Sequence, residues 1–386
     1  MVRLLDEVEN SRNGFVFVRR LGSFWEVRFG VHPLETFSID AKKPKKHVFQ
    51  VLREALSYGM LLGYAGFSLT SLWERVPYSP HTQFPDLELS LYTEYKVFRT
   101  RKLITDFSDH DFQISRVLEN TTFERFCEMV LRAKEYIASG DVFQVVLSRR
   151  TEIDFSGSLV RPFLRLVQQN PSPYMYYVKF GERRIVGSSP ETLFRVKSRI
   201  VESFPIAGTR EVTGDRARDE KLRQELLKSE KEAAEHVMLV DLARNDLGKV
   251  CELGSVKVPI YRKIVKFSKV QHIVSKVVGV LKQSADSFDV LEAVFPAGTV
   301  SGAPKIRAIE IIHELEEVPR GPYAGGVGFF EKDEADFAIN IRSFYATEAK
   351  LYVQAGAGIV ADSQPEFEYK ETQHKASALL GALGVR

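Results

Sequence analysis

Residues 231–246 read KEAAEHVMLVDLARND, and the rest of the chain is organised around this stretch. Apolar residues occupy most of its positions, which predicts a helix buried on nearly all sides. Two acids interrupt the pattern. Glu232 and Glu235 are three residues apart, so a helix places both carboxylates on one face. A buried carboxylate is costly unless a partner compensates its charge, and a metal ion is one such partner. From this stretch alone, two acids at the solvated end of a long helix are an equally good interpretation.

A second pair of acids occurs near the C-terminus, where residues 362–375 read DSQPEFEYKETQHK. Ser363 and Glu366 predict a capping box at the start of a helix. Glu368 and Glu371 then share one face of that helix. Two helices with a Glu-x-x-Glu pair suggest Mg²⁺, which binds carboxylate oxygens. Acids that favour the helix dipole are the alternative, and it suits a first-turn residue better than Glu371.

The composition bounds the class of protein. The chain has 386 residues, of which 44% are hydrophobic, enough for one large or two ordinary domains. Its 54 basic and 51 acidic residues give a formal charge of +3, and without a basic block we expect no nucleic-acid partner. Two cysteines, Cys127 and Cys251, exclude a disulfide framework and fit a reducing compartment. The charged N-terminus and the absence of a long apolar run predict no signal peptide and no membrane segment. We therefore expect a cytoplasmic protein.

The chain divides into residues 1–120, an N-terminal region, and residues 121–386, where the motifs concentrate. Thr121 and Glu124 predict a capping box that opens the first helix of the second region. Further along, the sequence PIAGTR at 205–210 predicts a turn. Together these patterns predict strands interleaved with a few long helices.

Nine motifs occur in series, and together they resemble those of the chorismate-utilising enzymes, most closely the large subunit of anthranilate synthases. The likeness covers residues 121 to the end and is thin before that. In order, the motifs are FQVVLS, NPSPYM, GSSPE, PIAGT, KEAAEHVMLVDLARNDLG, FPAGTVSGAPK, RGPYAGGVG, QAGAGIVADS and EYKETQHK.

The resemblance implies an α+β fold, with two large antiparallel sheets packed on each other and helices outside. It implies that the N-terminal region packs onto this core and is shortened. It also implies site residues. The Mg²⁺ ligands are Glu232, Glu235, Glu368 and Glu371. The substrate-binding residues are Gln144, Ala207, Gly208, Thr209, Thr299, Tyr323, Arg342, Gly356, Ala357 and Gly358. The catalytic residues are His272, Glu232, Thr299 and Lys375.

Two positions distinguish members of this family. In isochorismate and salicylate synthases a lysine replaces Gln144 and activates water, and in aminodeoxychorismate synthases a lysine usually replaces Ala207 and attacks the ring. This chain has neither lysine. A site without its own nucleophile or water-activating base fits ammonia as the nucleophile. The resemblance thus implies Mg²⁺-dependent conversion of chorismate and ammonia to anthranilate and pyruvate, a step of tryptophan biosynthesis.

The source of the ammonia is the next expectation. We find no motif for glutamine hydrolysis in the chain, so the resemblance implies a separate glutamine amidotransferase subunit as partner. Two alternatives remain open at this point: component I of aminodeoxychorismate synthase, in the folate pathway, and a catalytically silent paralogue that binds chorismate.

Tryptophan inhibition is the last expectation that the resemblance raises. The family builds a tryptophan site from an N-terminal LLES segment and from PYM. Pro173, Tyr174 and Met175 match the second element, whereas the first aligns with LLDE, where Leu5 is retained and Glu7 replaces the serine. A glutamate there would repel the carboxylate of tryptophan, so we expect weak or absent inhibition.

Overall fold

The computed structural model describes residues 1–42, 45–81, 83–103, 110–266 and 270–385. The chain forms two compact units, which are described separately. Unit 1 comprises Met1–Pro190, Val300–Lys332 and Ala338–Arg386; unit 2 comprises Glu191–Thr299 and Asp333–Phe337. No helix among the described residues is long and apolar enough to cross a membrane.

The α-helices are α1 (Val2–Asn10), α2 (Lys45–Leu56), α3 (Phe123–Ala138), α4 (Val160–Gln169), α5 (Arg216–Lys228), α6 (Glu230–Val250), α7 (Ser287–Val294), α8 (Lys305–Leu315) and α9 (Pro365–Leu383). The strands are β1 (Asn13–Leu21), β2 (Phe24–Val31), β3 (Glu35–Ile39), β4 (Met60–Ala65), β5 (Leu87–Tyr92), β6 (Lys96–Thr100), β7 (Phe112–Glu119), β8 (Gln144–Gly157), β9 (Tyr174–Phe180), β10 (Arg183–Ser189), β11 (Thr192–Lys197), β12 (Ile200–Ser203), β13 (Ile206–Glu211), β14 (Lys257–Lys266), β15 (Val270–Val280), β16 (Gly302–Ala303), β17 (Gly326–Phe330), β18 (Glu334–Ile339), β19 (Ser343–Ala346) and β20 (Lys350–Ile359).

Unit 1 contains one complete sheet, with strand order β16-β8-β20-β19-β10-β9-β1-β2-β6 and β7 paired to β8. It also contains the strands β17-β4-β5-β3 of a second sheet. The two sheets pack face to face through aromatic rings within this unit. Phe17 of β1 meets Phe329 of β17 with ring centroids 5.8 Å apart, and Phe15 meets Tyr92 of β5 at 4.8 Å. The predicted α+β fold with two large antiparallel sheets is therefore confirmed.

Helices cover the other face of the complete sheet. Val16 and Val18 of β1 alternate with the two phenylalanines, because successive side chains of a strand point to opposite faces. They belong to a buried cluster with residues of α1, α4 and α9, such as Leu5, Phe163 and Leu379. The strand is thus buried on both sides, which explains its nearly continuous apolar sequence.

Strand β1 also joins the two regions expected from the sequence, since it pairs with β9 from Asn13 to Arg19. The boundary at residue 120 remains a prediction.

Unit 2 contains the strands β13-β15-β12-β11, with β14 on the free edge of β15, and the helices α5, α6 and α7. The last residues of β18 continue into unit 1. A helix was predicted over residues 231–246, and α6 extends from Glu230 to Val250. It is less buried than its composition suggested, since Val237 is 41% exposed. The sequence has apolar residues on every side of α6, but the fold buries one side more fully than the other.

Three local predictions were wrong by one residue or by element type. The N-cap of α3 is Thr122, not Thr121, and it accepts from the N–H of Arg125. The N-cap of α9 is Gln364, without a side-chain cap, because the Ser363 hydroxyl accepts from the Val360 N–H instead. PIAGTR is mostly a strand, β13, and not a turn.

Candidate active site

The residues predicted for the site fall into two groups, one in each unit. In unit 1, two glycines of β20 leave space for larger side chains. A Cβ on Gly356 would lie 2.9 Å from the hydroxyl of Tyr323, and a Cβ on Gly358 would lie 2.7 Å from Nε2 of Gln144. Residues two apart share one face of a strand, so the tyrosine hydroxyl and the glutamine amide lie on the same face of β20. Ala357 is fully buried and faces the other way, so its side chain does not join this group.

Basic residues adjoin the same strand. The Nζ of Lys375 donates to the carbonyl of Gly356 at 2.9 Å and pairs with Glu371 at 2.6 Å. Arg342 donates from Nη1 to the carbonyl of Lys375 at 2.9 Å. Burial lowers the pKa of Arg342, opposed by the neighbouring Tyr323 and the Glu371 carboxylate, and a guanidinium remains charged in proteins. The Lys375 ammonium and the Tyr323 hydroxyl therefore lie beside Gly356, and the Arg342 guanidinium binds the backbone of Lys375.

A buried ion pair that was not predicted from the sequence binds the backbone of β8 opposite the two glycines. Arg320, the first residue of RGPYAGGVG, donates to both carboxylate oxygens of Glu316 at 2.8 and 2.6 Å and to the carbonyl of Val146 at 2.7 Å. Glu316 also accepts from the N–H and hydroxyl of Ser148. Val146 and Ser148 are the β8 partners of the two glycines. A fully hydrogen-bonded buried pair of this kind holds the backbone rigid.

Tyr323 remains a hydrogen-bond donor at neutral pH. Burial raises the pKa of its hydroxyl to about 12, although the nearby Arg320 cation acts in the opposite direction. The ring lies with its centroid 5.7 Å from the Arg320 guanidinium carbon.

In unit 2 the first carboxylate pair lies against a bulged strand. Strand β13 changes register between Ala207 and Thr209, and Gly208 has φ +64°. The Oε2 of Glu232 lies 2.7 Å from where a Cβ of Gly208 would be, and its Oε1 accepts from Arg210 at 3.1 Å. The missing side chain at residue 208 therefore makes room for the carboxylate.

The same bulge orients His272. Its Nδ1 lies 3.1 Å from the carbonyl of Gly208 and 3.0 Å from the hydroxyl of Thr209. A carbonyl oxygen can only accept, so Nδ1 donates to Gly208 in the tautomer that leaves the lone pair on Nε2, whereas in the other tautomer Nδ1 accepts from the Thr209 hydroxyl. The bulge thus supplies a hydrogen-bond partner for Nδ1 in either tautomer. Ala207, buried beside the bulge, pairs with Ile273.

Thr299 lies at the end of unit 2, where its hydroxyl donates to Glu191 at 2.7 Å. Glu191 ends the GSSPE motif, and no role for it was predicted from the sequence. The pairing of two motifs more than a hundred residues apart could have been found only from the fold.

His236, directly after Glu235, also had no role predicted from the sequence. Its ring is fully buried, and its Nε2 shares a 2.6 Å hydrogen bond with the hydroxyl of Ser275 on β15. Burial, assisted by the cation of Arg262, lowers the pKa of His236 to about 4. The ring is therefore neutral at physiological pH.

The donor set suits Mg²⁺. Both pairs supply carboxylate oxygens, the ligands that Mg²⁺ prefers. Among the described residues, no three or more His, Cys, Asp or Glu side chains lie together in a way that could hold a metal ion. The Mg²⁺ site remains a prediction.

The residues predicted for tryptophan binding come together only in part. Leu5 and Met175 are buried in one core cluster, and Tyr174 is also buried. The carbonyl of Pro173 accepts from the Arg20 N–H. Glu7 is exposed on α1. The expected weak tryptophan inhibition remains a prediction.

Comparison with known proteins agrees with this geometry. The model of the family described as chorismate binding enzyme matches residues 18–381. The chain therefore belongs to the chorismate binding enzyme family.

Similar members of that family are named anthranilate synthase component 1. The one from Saccharolobus solfataricus is 48% identical over 342 residues, covering 85% of this chain and 81% of the relative. The one from Methanothermobacter thermautotrophicus is 43% identical, covering 97% and 83%. The prediction of an enzyme of the anthranilate synthase type is thereby confirmed.

Solved structures agree on the fold. Anthranilate synthase component I from Streptococcus pneumoniae superposes with a TM-score of 0.80 at 32% identity, covering 95% of this chain and 92% of that one. A protein from Bacillus anthracis, whose structure is described as that of a putative 2,3-dihydroxybenzoate-specific isochorismate synthase, gives the same TM-score at 24% identity, over the full length of both chains. Both matches show the same fold.

Proposed function

We propose that the chain converts chorismate and ammonia to anthranilate, pyruvate and water. The observation that carries this proposal is Gln144. Its amide lies over Gly358, on the same face as the Tyr323 hydroxyl, so residue 144 belongs to the unit 1 group. An amide cannot take a proton from water, and Ala207 in unit 2 offers no nucleophile. The attacking group must therefore come from outside the chain.

Chorismate carries two carboxylates, and unit 1 offers the groups to bind one of them. Arg342 presents a planar donor fork, a geometry that matches a carboxylate. Tyr323 adds a protonated hydroxyl and Lys375 a second cation close to Gly356. These groups account for recognition of the enolpyruvyl carboxylate.

Proton transfer falls to His272. With Nδ1–H held by the carbonyl of Gly208, Nε2 can accept the proton that leaves ring C2 after ammonia has added. Loss of that proton and departure of pyruvate make the ring aromatic. The Gly208 bulge matters here because its carbonyl can accept from Nδ1 in the tautomer that leaves Nε2 basic.

Glu232, Glu235, Glu368 and Glu371 would hold Mg²⁺. A bound ion would neutralise the ring carboxylate and would favour departure of the 4-hydroxyl by drawing electron density from the ring. Arg210 and Lys375 each form an ion pair with one of these glutamates, Glu232 and Glu371.

The ammonia comes, in this proposal, from a separate glutamine amidotransferase subunit. Glutamine hydrolysis by such enzymes needs an activated thiol. Burial raises the pKa of both cysteine thiols of the chain, Cys127 and Cys251, the opposite of activation. Glutamine should therefore support turnover only after the partner subunit is added, whereas ammonium salt should suffice alone.

The test is to incubate the purified chain with chorismate, Mg²⁺ and ammonium salt and to identify the product by fluorescence and mass. Anthranilate with release of pyruvate is the expected result. Aminodeoxychorismate would indicate the folate-pathway reaction, and no Mg²⁺-dependent turnover would indicate a silent paralogue. Either outcome would overturn the proposal.

Replacing Gln144 by Lys sharpens the test. A lysine at this position brings a base to the face shared with Tyr323, so we expect isochorismate-type product to rise at the expense of anthranilate. Product ratios by chromatography check this, with Gln113→Lys, on strand β7, as a control for added charge. An unchanged ratio in a folded Gln144→Lys enzyme would count against the role of this position.

A further inference from the structure

A buried polar residue follows the second glutamate of each pair. His236 comes after Glu235, and Thr372 comes after Glu371; both are fully buried. Adjacent positions on a helix point roughly 100° apart. A residue that is hydrogen-bonded to a sheet therefore sets the direction in which the neighbouring carboxylate points.

Thr372 is hydrogen-bonded to a residue of β8 within unit 1. Its Oγ1 accepts from Nε of Arg149 at 2.7 Å and donates to the carbonyl of Tyr369, also at 2.7 Å. The Arg149 guanidinium lies over the Tyr369 ring, 4.5 Å from its centroid, and pairs with Glu119 at 3.0 Å. Arg149 is thus held on several sides, so the bond to Thr372 sets the rotation of α9.

His236 is hydrogen-bonded to a residue of β15 within unit 2. Its Nε2 shares the 2.6 Å bond with Ser275, whose hydroxyl also accepts from the N–H of Arg262 at 2.9 Å. Ser275 is fully buried and lies three residues after His272 on the same strand. The bond therefore sets α6 against the strand that carries the catalytic histidine.

We propose that Thr372 and His236 are positioning residues for the metal: each orients the glutamate pair of its own helix and neither touches the ion. Apolar packing alone lets a helix rotate or slide, whereas a directional hydrogen bond permits one orientation. Residues that orient metal ligands commonly affect metal affinity by about 10- to 100-fold. This inference rests on the proposed function, because it assumes that the four glutamates bind Mg²⁺.

The experiment measures the dissociation constant of Mg²⁺ alone by calorimetry at fixed ionic strength. Thr372→Val keeps the shape and removes the hydroxyl, and we expect affinity to fall about 10-fold or more. Thr372→Ser restores the hydroxyl and should bind within about 3-fold of wild type. Thr70→Val is the matched control, since Thr70 is also buried and donates to a carbonyl three residues earlier. It should bind Mg²⁺ as wild type does.

Ser275→Ala tests the second anchor by removing the partner of His236, with the same expected loss. A second readout is the Mg²⁺ concentration for half-maximal turnover, which should rise in Thr372→Val and Ser275→Ala while the rate recovers at high Mg²⁺. If Thr372→Val does not fold, Arg149→Lys removes the planar donor from the other side of the same bond and should weaken Mg²⁺ binding.

The outcomes separate the two proposals. A wild-type chain that makes anthranilate and binds Mg²⁺, with variants that bind equally well, overturns the positioning role and leaves the proposed function standing. Equal losses in Thr372→Val and Thr372→Ser overturn it as well, because the hydroxyl is then irrelevant. A wild-type chain that binds no Mg²⁺ overturns the metal site and the positioning role together.

Discussion

Helices α6 and α9 each carry two glutamates three residues apart, yet their surroundings hold the two pairs differently. On α6, the Glu232 side chain is 18% exposed, lies over Gly208 of a neighbouring strand and pairs with Arg210 from that strand. On α9, the Glu371 side chain is 48% exposed and pairs with Lys375 of its own helix. The first carboxylate is ordered by tertiary contacts, and the second by a local one.

The helix starts differ in the same sense. The hydroxyl of Ser229 accepts from the N–H of Glu232, so the cap and the carboxylate belong to one turn. Helix α9 begins at Pro365 after Gln364, which forms no side-chain cap. Two glutamate pairs with the same spacing in the sequence are thus held in place by different contacts. An i,i+4 ion pair in solvent contributes only a few tenths of a kcal/mol.

The largest expected effect comes from removing one charge of each pair. Glu232→Gln and Glu371→Gln keep the side-chain shape, and we expect kcat/KM to fall about 100-fold or more, equivalent to about 2.7 kcal/mol. The loss should be greater for Glu232→Gln, because that carboxylate is the better ordered. Glu366→Gln, in the first turn of α9, is the control and should stay near wild type. Equal activity of Glu371→Gln and wild type would show that the metal assignment is wrong.

An intermediate effect is expected at the bulge that supports only the α6 pair. Gly208→Ala places a methyl group 2.7 Å from Oε2 of Glu232 at φ +64°, and a left-handed conformation costs about 1–2 kcal/mol for an L-residue. We expect that loss in the free energy of unfolding, together with roughly 10-fold weaker Mg²⁺ binding.

Gly214→Ala is the matched control for this bulge. Gly214 also has a positive φ, +87°, but a Cβ there would meet nothing within 4 Å. The backbone cost should be similar and Mg²⁺ binding unchanged. If both variants lose Mg²⁺ affinity equally, the contact between residue 208 and Glu232 is not what orders the carboxylate.

The smallest expected effect concerns the helix starts. Ser229→Ala removes a side-chain cap and should destabilise the first turn of α6 by about 1 kcal/mol. Gln364→Ala removes no such bond and should change α9 by no more than a few tenths of a kcal/mol. Amide hydrogen exchange in the first turn of each helix measures both. If Ser229→Ala and Gln364→Ala accelerate amide exchange equally, the two helix starts are not stabilised differently.

The sequence by itself determined the helices and the acids they carry. Glu232 and Glu235 share one face of their helix, and so do Glu368 and Glu371, because a helix has 3.6 residues per turn. This inference needs no knowledge of the rest of the fold. The N-cap was predicted wrongly where two neighbouring residues can each occupy that position, as with Ser363 and Gln364. Which residue becomes the N-cap depends on the other hydrogen-bond partners within reach of their side chains.

Only the tertiary structure decided how these residues meet. The bulge at Gly208 exists because β13 pairs with β15, some sixty residues further along the chain, and PIAGTR alone looked like a turn. The bond between Arg149 and Thr372 joins positions 223 residues apart. Periodicity is a property of neighbouring residues, whereas register, bulges and buried hydrogen bonds depend on which distant strand or helix the chain finally packs against.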